Sequence, residues 1–64
     1  MNIQSAVLEG TNILKDEYIL TAQLDTEVLM AKVLGKSREY IILNNNKNLE
    51  NNNLEYFKKL IKER

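Results

Sequence analysis

The sequence predicts a small all-α bundle of four helices over residues 3–15, 21–34, 38–44 and 52–63, built around a buried central helix. Two observations carry that prediction. Between Leu24 and Leu34 the side chains Leu24, Val28, Leu29, Met30, Ala31, Val33 and Leu34 cover most of a helix circumference at 3.6 residues per turn, leaving Asp25 and Lys32 as one narrow polar stripe. A helix that is apolar nearly all round belongs inside a fold, with the rest of the chain wrapped about it. The segments at both ends of the chain, by contrast, carry single apolar stripes and are suited to be that wrapping.

In the first helix, Ile3, Ala6, Val7, Gly10, Ile13 and Leu14 share one face, with Gln4, Ser5, Glu9, Asn12 and Lys15 opposite. Asn2 is positioned as its N-cap. Gly10 costs about 1 kcal/mol against alanine but lets a packed neighbour come close. Leu8 falls outside the stripe. The pattern breaks at Asp16, Glu17 and Tyr18, and the chain then either turns through Ile19 and Leu20 or runs straight into the central helix, with Thr21 as a candidate cap. Asp25 and Glu27 suit the positive end of the central helix dipole, and Gly35 suits the left-handed residue that ends it. Ser37 then caps a short helix from Arg38 to about Asn44 that buries Tyr40, Ile41 and Leu43.

Residues 44–53 hold seven asparagines, which tolerate left-handed backbone and read as a solvated turn, with Leu49 as an anchor to the core. The last helix places Leu54, Phe57, Leu60 and Ile61 inward and Glu55, Lys58, Lys59, Lys62 and Glu63 outward. Glu55 and Lys59 form an i,i+4 pair of the favourable orientation.

Sixty-four residues make one domain, which buries about 60% of the surface its unfolded chain exposes and has a stability of roughly 3–9 kcal/mol. A hydrophobic fraction of 44% with 28% charged residues fits a globular domain. No apolar run approaches the roughly 18 residues that span a membrane, and the first five residues lack the basic start and apolar core of a secretory signal. There is no cysteine, which excludes disulfides and zinc–thiolate sites and fits a cytoplasmic location. There is no histidine, so the commonest general base and metal ligand is missing. Net charge is zero, against the basic excess of a nucleic-acid binder. Charge is uneven, however: residues 1–35 hold five acids and two bases (net −3), and residues 36–64 hold seven bases and four acids (net +3).

No residue set is assigned a catalytic, cofactor-binding or metal-binding role. Asp25 and Glu27, two apart on a helix, diverge, and Asp16 and Glu17 fall in a loop, so all four are read as solvating or dipole-compensating groups. No Gly-rich phosphate loop and no activated nucleophile is present. Two binding readings remain. Ala31, Gly35, Ser37 and Ile41 imitate the spacing of a helix-turn-helix, with Lys36 and Arg38 opening a DNA-reading helix, but Tyr40 to Leu43 is too apolar for a groove. The basic edge of the last helix, Lys58, Lys59, Lys62 and Arg64, is either a solvated face or a docking surface for an acidic protein or RNA, to which Leu8 or Ile42 could add an apolar contact.

The stretch from Asp25 to Arg38 also carries a resemblance, through Asp25, Glu27, Leu29, Met30, Leu34, Gly35 and Arg38. It continues through the apolar run Tyr40 to Leu43, Leu49, Phe57, Leu60 and the basic end at Lys62 to Arg64. With these features the chain, from about residue 5 to 64, resembles the N-terminal domain of the HemK/PrmC family of release factor glutamine methyltransferases. The resemblance implies a helical domain that helps hold a peptide chain release factor. A separate Rossmann-like domain with an Asn-Pro-Pro-Tyr motif would bind S-adenosylmethionine and methylate the glutamine of the substrate's Gly-Gly-Gln motif. This sequence has no proline, so no catalytic or cofactor residue is carried over, and the resemblance places the catalytic domain beyond this chain. The chain departs from the family in having Leu20, Thr21 and Ala22 where a proline often precedes the central helix, and in its asparagine run.

Overall fold

The computed structural model describes residues 1–63, which form four helices: α1 (Ile3–Asp16), α2 (Ala22–Leu34), α3 (Arg38–Leu43) and α4 (Asn51–Glu63). α2 packs against each of the other three, and α1 and α4 also meet each other. The central position expected for residues 21–34 is therefore found, and the four helices fall within a residue or so of their expected bounds. Among the described residues no helix is long and apolar enough to cross a membrane.

The helix ends show why these bounds hold. Asn2 caps α1, its Oδ1 accepting the Ser5 N–H at 2.8 Å, and Ser37 caps α3, its hydroxyl accepting the Tyr40 N–H at 3.2 Å. Gly35 ends α2 at φ 64°. Its N–H donates to the Lys32 carbonyl and the Lys36 N–H to the Ala31 carbonyl, the paired bonds of a Schellman motif. Thr21 occupies the N-cap position of α2 but does not cap with its side chain; its hydroxyl donates instead to Asp25 Oδ2 at 3.2 Å. α3 stops at Leu43, one residue short of expectation, with Asn44 as its C-cap.

The asparagine-rich segment is more than a solvated turn. Its backbone takes up the free N–H groups of the first turn of α1: Ile3 donates to the Lys47 carbonyl at 2.9 Å and Gln4 to the Asn45 carbonyl at 2.8 Å. Leu49 is buried as expected, and its N–H donates to the Met1 carbonyl at 3.0 Å. The loop thus ties the start of α4 to the start of α1.

The core comprises Ile3, Ala6 and Leu14 of α1, Met30 and Ala31 of α2, Ile41, Leu49, Phe57 and Ile61, with Ala22 at the start of α2. Gly10 faces it where α1 crosses the others: a Cβ there would lie 2.9 Å from Phe57 Cζ and from Thr26 Cγ2, and 3.1 Å from Ile61 Cδ1. That is the close approach expected of this glycine.

Three expectations about burial are corrected. α2 is not apolar-in all round, because Leu24 and Val28 are about half exposed while Thr26 is fully buried. The buried threonine is accommodated because its hydroxyl donates to the Ala22 carbonyl at 2.7 Å, one turn back, leaving a methyl to face the core. Ile13 stands at the edge of the α1 stripe and is partly exposed. Leu43, expected inside, is 80% exposed, because the six-residue α3 has room for one fully buried side chain, Ile41.

Candidate functional site

Among the described residues no three acidic, histidine or cysteine side chains converge as a metal site would require. The acidic pair on α2 diverges as the helix geometry dictates, but Glu27 is largely withdrawn from solvent. Its side chain is 9% exposed and lies against α3, where Arg38 Nε and Nη2 both reach Glu27 Oε1 at 3.0 Å. The expected dipole or solvation role of Glu27 is thus replaced by a structural one. An ion pair across the α2–α3 turn fixes α3 on α2, and among the described residues no buried side-chain polar atom lacks a partner.

The same geometry disfavours the DNA-reading helix. Arg38 is engaged by Glu27, and the Lys36 ammonium sits 5.3 Å from the centre of the Tyr40 ring, with Lys47 at 5.4 Å. A six-residue α3 is only about 9 Å long, and its outer side chains Ile42 and Leu43 are apolar and exposed.

What the surface of the described residues offers instead is exposed apolar area, including three stretches. Leu8 and Ile42, which the sequence offered as apolar contacts beside the basic edge of the last helix, instead line a groove between α1, α2 and α3, whose volume is about 380 Å³ and whose walls include Lys15 and Glu27. A smaller apolar pocket of about 120 Å³ lies between α1 and α4, with Ile13 and Phe57 in its lining and Lys58, Lys62 and Glu9 beside them. It adjoins the basic edge of α4; Arg64, counted in that edge, lies outside the described residues. The third area runs from the α1–α2 connection onto the outer face of α2. Tyr18 and Leu20 are almost entirely exposed, and Leu24 and Val28 continue the row at helical spacing. Leu20 and Leu24 share a shallow depression with Glu27 and Arg38.

Tyr18 also has an unusual backbone. It sits at φ 62° in the left-handed region, the only non-glycine residue there among those described. Its N–H donates to the Lys15 carbonyl at 2.9 Å and the Ile19 N–H to the Leu14 carbonyl at 3.1 Å, which makes a second Schellman motif, with tyrosine where Gly35 stands in the first. The apolar contact that accompanies such motifs is supplied by the buried Leu14 and the half-buried Ile19. Left-handed backbone costs a residue with a Cβ about 1–2 kcal/mol. The side chain recovers none of this by burial, being 92% exposed. Sequence reasoning located the break at Asp16 to Tyr18 but not this conformation. The signal was the spacing of Leu14 and Ile19, five apart, which brackets a Schellman end even without glycine.

Fold and surface together define a small helical domain whose conspicuous features are exposed apolar faces, not a reactive constellation. The profile of the family described as PrmC N-terminal domain matches residues 5–64, and the chain belongs to that family. Neither a curated protein nor a solved structure gives a match.

Proposed function

We propose that this domain is the substrate-recognition module of an S-adenosylmethionine-dependent protein glutamine methyltransferase, binding the peptide chain release factor whose Gly-Gly-Gln glutamine is modified. Membership of the PrmC N-terminal domain family across residues 5–64 carries this reading. The exposed apolar residues Leu8, Ile42, Tyr18, Leu20 and Leu24 support a protein-binding role. Cofactor binding and methyl transfer are assigned to another domain of the parent protein, acting in the cytoplasm. The role of this domain is to raise the residence of a large protein substrate near that centre, which lowers the entropic cost of bringing the two together.

One small module supplies only part of such an interface, so its own affinity falls in the micromolar to millimolar range. Calorimetric titration of the 64-residue chain with a class 1 release factor tests this. Saturable heat in that range is the expected result. Absence of heat up to millimolar concentration, with no displacement of a fluorescently labelled domain, contradicts the reading.

A further inference from the structure

We infer that the row Tyr18, Leu20, Leu24 and Val28 is the face through which this domain meets its protein partner, and that it takes a basic segment bearing a large apolar side chain. The identity of the partner as a release factor rests on the function proposed above; the choice of face rests on the structure.

The first observation is the conjunction of strain and exposure at Tyr18. A tyrosine held in left-handed backbone, with its ring in solvent, contributes nothing to the fold that glycine would not supply at lower cost. Gly35 shows the fold using glycine at the equivalent point of α2. The ring is instead presented outward by a rigid, doubly hydrogen-bonded helix end, as an anchor residue of an interface must be.

The second observation is continuity. Leu20, in the turn before α2, is fully exposed, and Leu24 and Val28, four and eight residues on, lie exposed on α2, so an aromatic side chain precedes an exposed apolar run that covers about two turns of helix. Isolated exposed apolar residues need no explanation, but four large ones within eleven residues, two of them sharing one depression, do.

Charge decides the occupant. Asp16 and Glu17, both exposed, immediately precede Tyr18, and the half-buried Asp25, which accepts from the Thr21 hydroxyl, follows Leu24. Lys15 lines the groove on the other side of α1, and Lys32 follows one turn beyond Val28 at the far end of the row. Arg38 borders the depression next to Leu20 with its charge matched by Glu27. The end of the row that carries the aromatic anchor is therefore acidic, within an N-terminal half of net charge −3 (five acids, two bases). Such a face selects a basic partner segment and disfavours an acidic one.

The test is a titration of the ¹⁵N-labelled chain with a class 1 release factor, repeated with Tyr18→Gly, Leu20→Ser and Glu17→Lys. All three positions are exposed, so the fold tolerates the changes. The expected result is that shift changes concentrate between Glu17 and Val28. Tyr18→Gly should raise the unfolding midpoint yet weaken binding about tenfold, and Leu20→Ser should weaken it about threefold. Glu17→Lys should weaken binding and flatten its dependence on salt. Shifts clustered at Leu8 and Ile42, or along Lys58 and Lys62, with Tyr18→Gly at full affinity, would overturn this face and leave the release-factor reading standing. No shift at any residue at millimolar release factor would remove the release-factor reading and this face with it. Concentration-dependent shifts on the row in the domain alone would make a second copy of the chain the occupant, and would overturn the inference too.

Discussion

Glu27 of α2 and Arg38 of α3, eleven residues apart, meet at 3.0 Å across the Gly35 turn, with the carboxylate mostly buried and the guanidinium half exposed. The asymmetry of burial predicts an asymmetry of mutational cost. Arg38→Ala strands a carboxylate that solvent hardly reaches and should cost about 1–2 kcal/mol. Glu27→Gln keeps an acceptor for Arg38, whose own charge stays hydrated, and should cost less than about 1 kcal/mol. Urea denaturation of the two variants checks the order; equal losses would mean that the pair does not orient α3.

Gly10 and Phe57 give the second prediction. Alanine at position 10 is the better helix former by about 1 kcal/mol. Its methyl, however, would press on Phe57 and on the stiff, fully buried Thr26 at 2.9 Å, and such overpacking costs about 1–3 kcal/mol. Gly10→Ala should therefore lower stability by about 1 kcal/mol, and Gly10→Val by about 3 kcal/mol. Thermal unfolding reads both, and a rise in the melting temperature of Gly10→Ala would contradict the packing described for α1 on α4.

The two Schellman ends should respond in opposite directions. Tyr18→Gly removes left-handed strain and loses no buried contact, so it should stabilise the domain by about 1 kcal/mol. Gly35→Ala meets nothing within 4 Å but must hold φ 64°, and should destabilise by about 1–2 kcal/mol. Denaturation midpoints of the pair, measured side by side, decide this, and a destabilised Tyr18→Gly would show that the ring contributes to the fold.

Asn2 closes the first turn of α1 together with the asparagine-rich loop. Asn2→Ala leaves the Ser5 N–H without its 2.8 Å acceptor and should cost about 1 kcal/mol. The N–H groups of Ile3 and Gln4, bonded to loop carbonyls, should keep slow hydrogen exchange in the same variant. Fast exchange of both would mean that the loop is held through Asn2 alone.

Which features the sequence made legible follows from how local their causes are. Asn2, Ser37 and Gly35 act within one turn of themselves, and each sits where the local pattern puts it. The stripe of α4 is equally local, and Phe57 and Ile61 are buried as expected. Glu27 was misread because its partner comes from another helix, and no periodicity in α2 records that contact. Val28, expected inside, is exposed while the polar Thr26 is buried, for a similar reason. A threonine that bonds its own helix behaves as an apolar residue, and a valine is left outside when no element covers its face. Leu24 and Val28 were read as core because the sequence alone does not distinguish an apolar face the fold covers from one left to a partner, while Tyr18 and Leu20 were read only as the break and connection before α2.

The central claim, that this domain recognises substrate for a methyltransferase, is tested most directly by determining the reading frame beyond Arg64. The account predicts an in-frame continuation into a glycine-rich cofactor loop and an Asn-Pro-Pro-Tyr motif. A stop codon directly after Arg64, with no methyltransferase sequence joined to the chain, would contradict it.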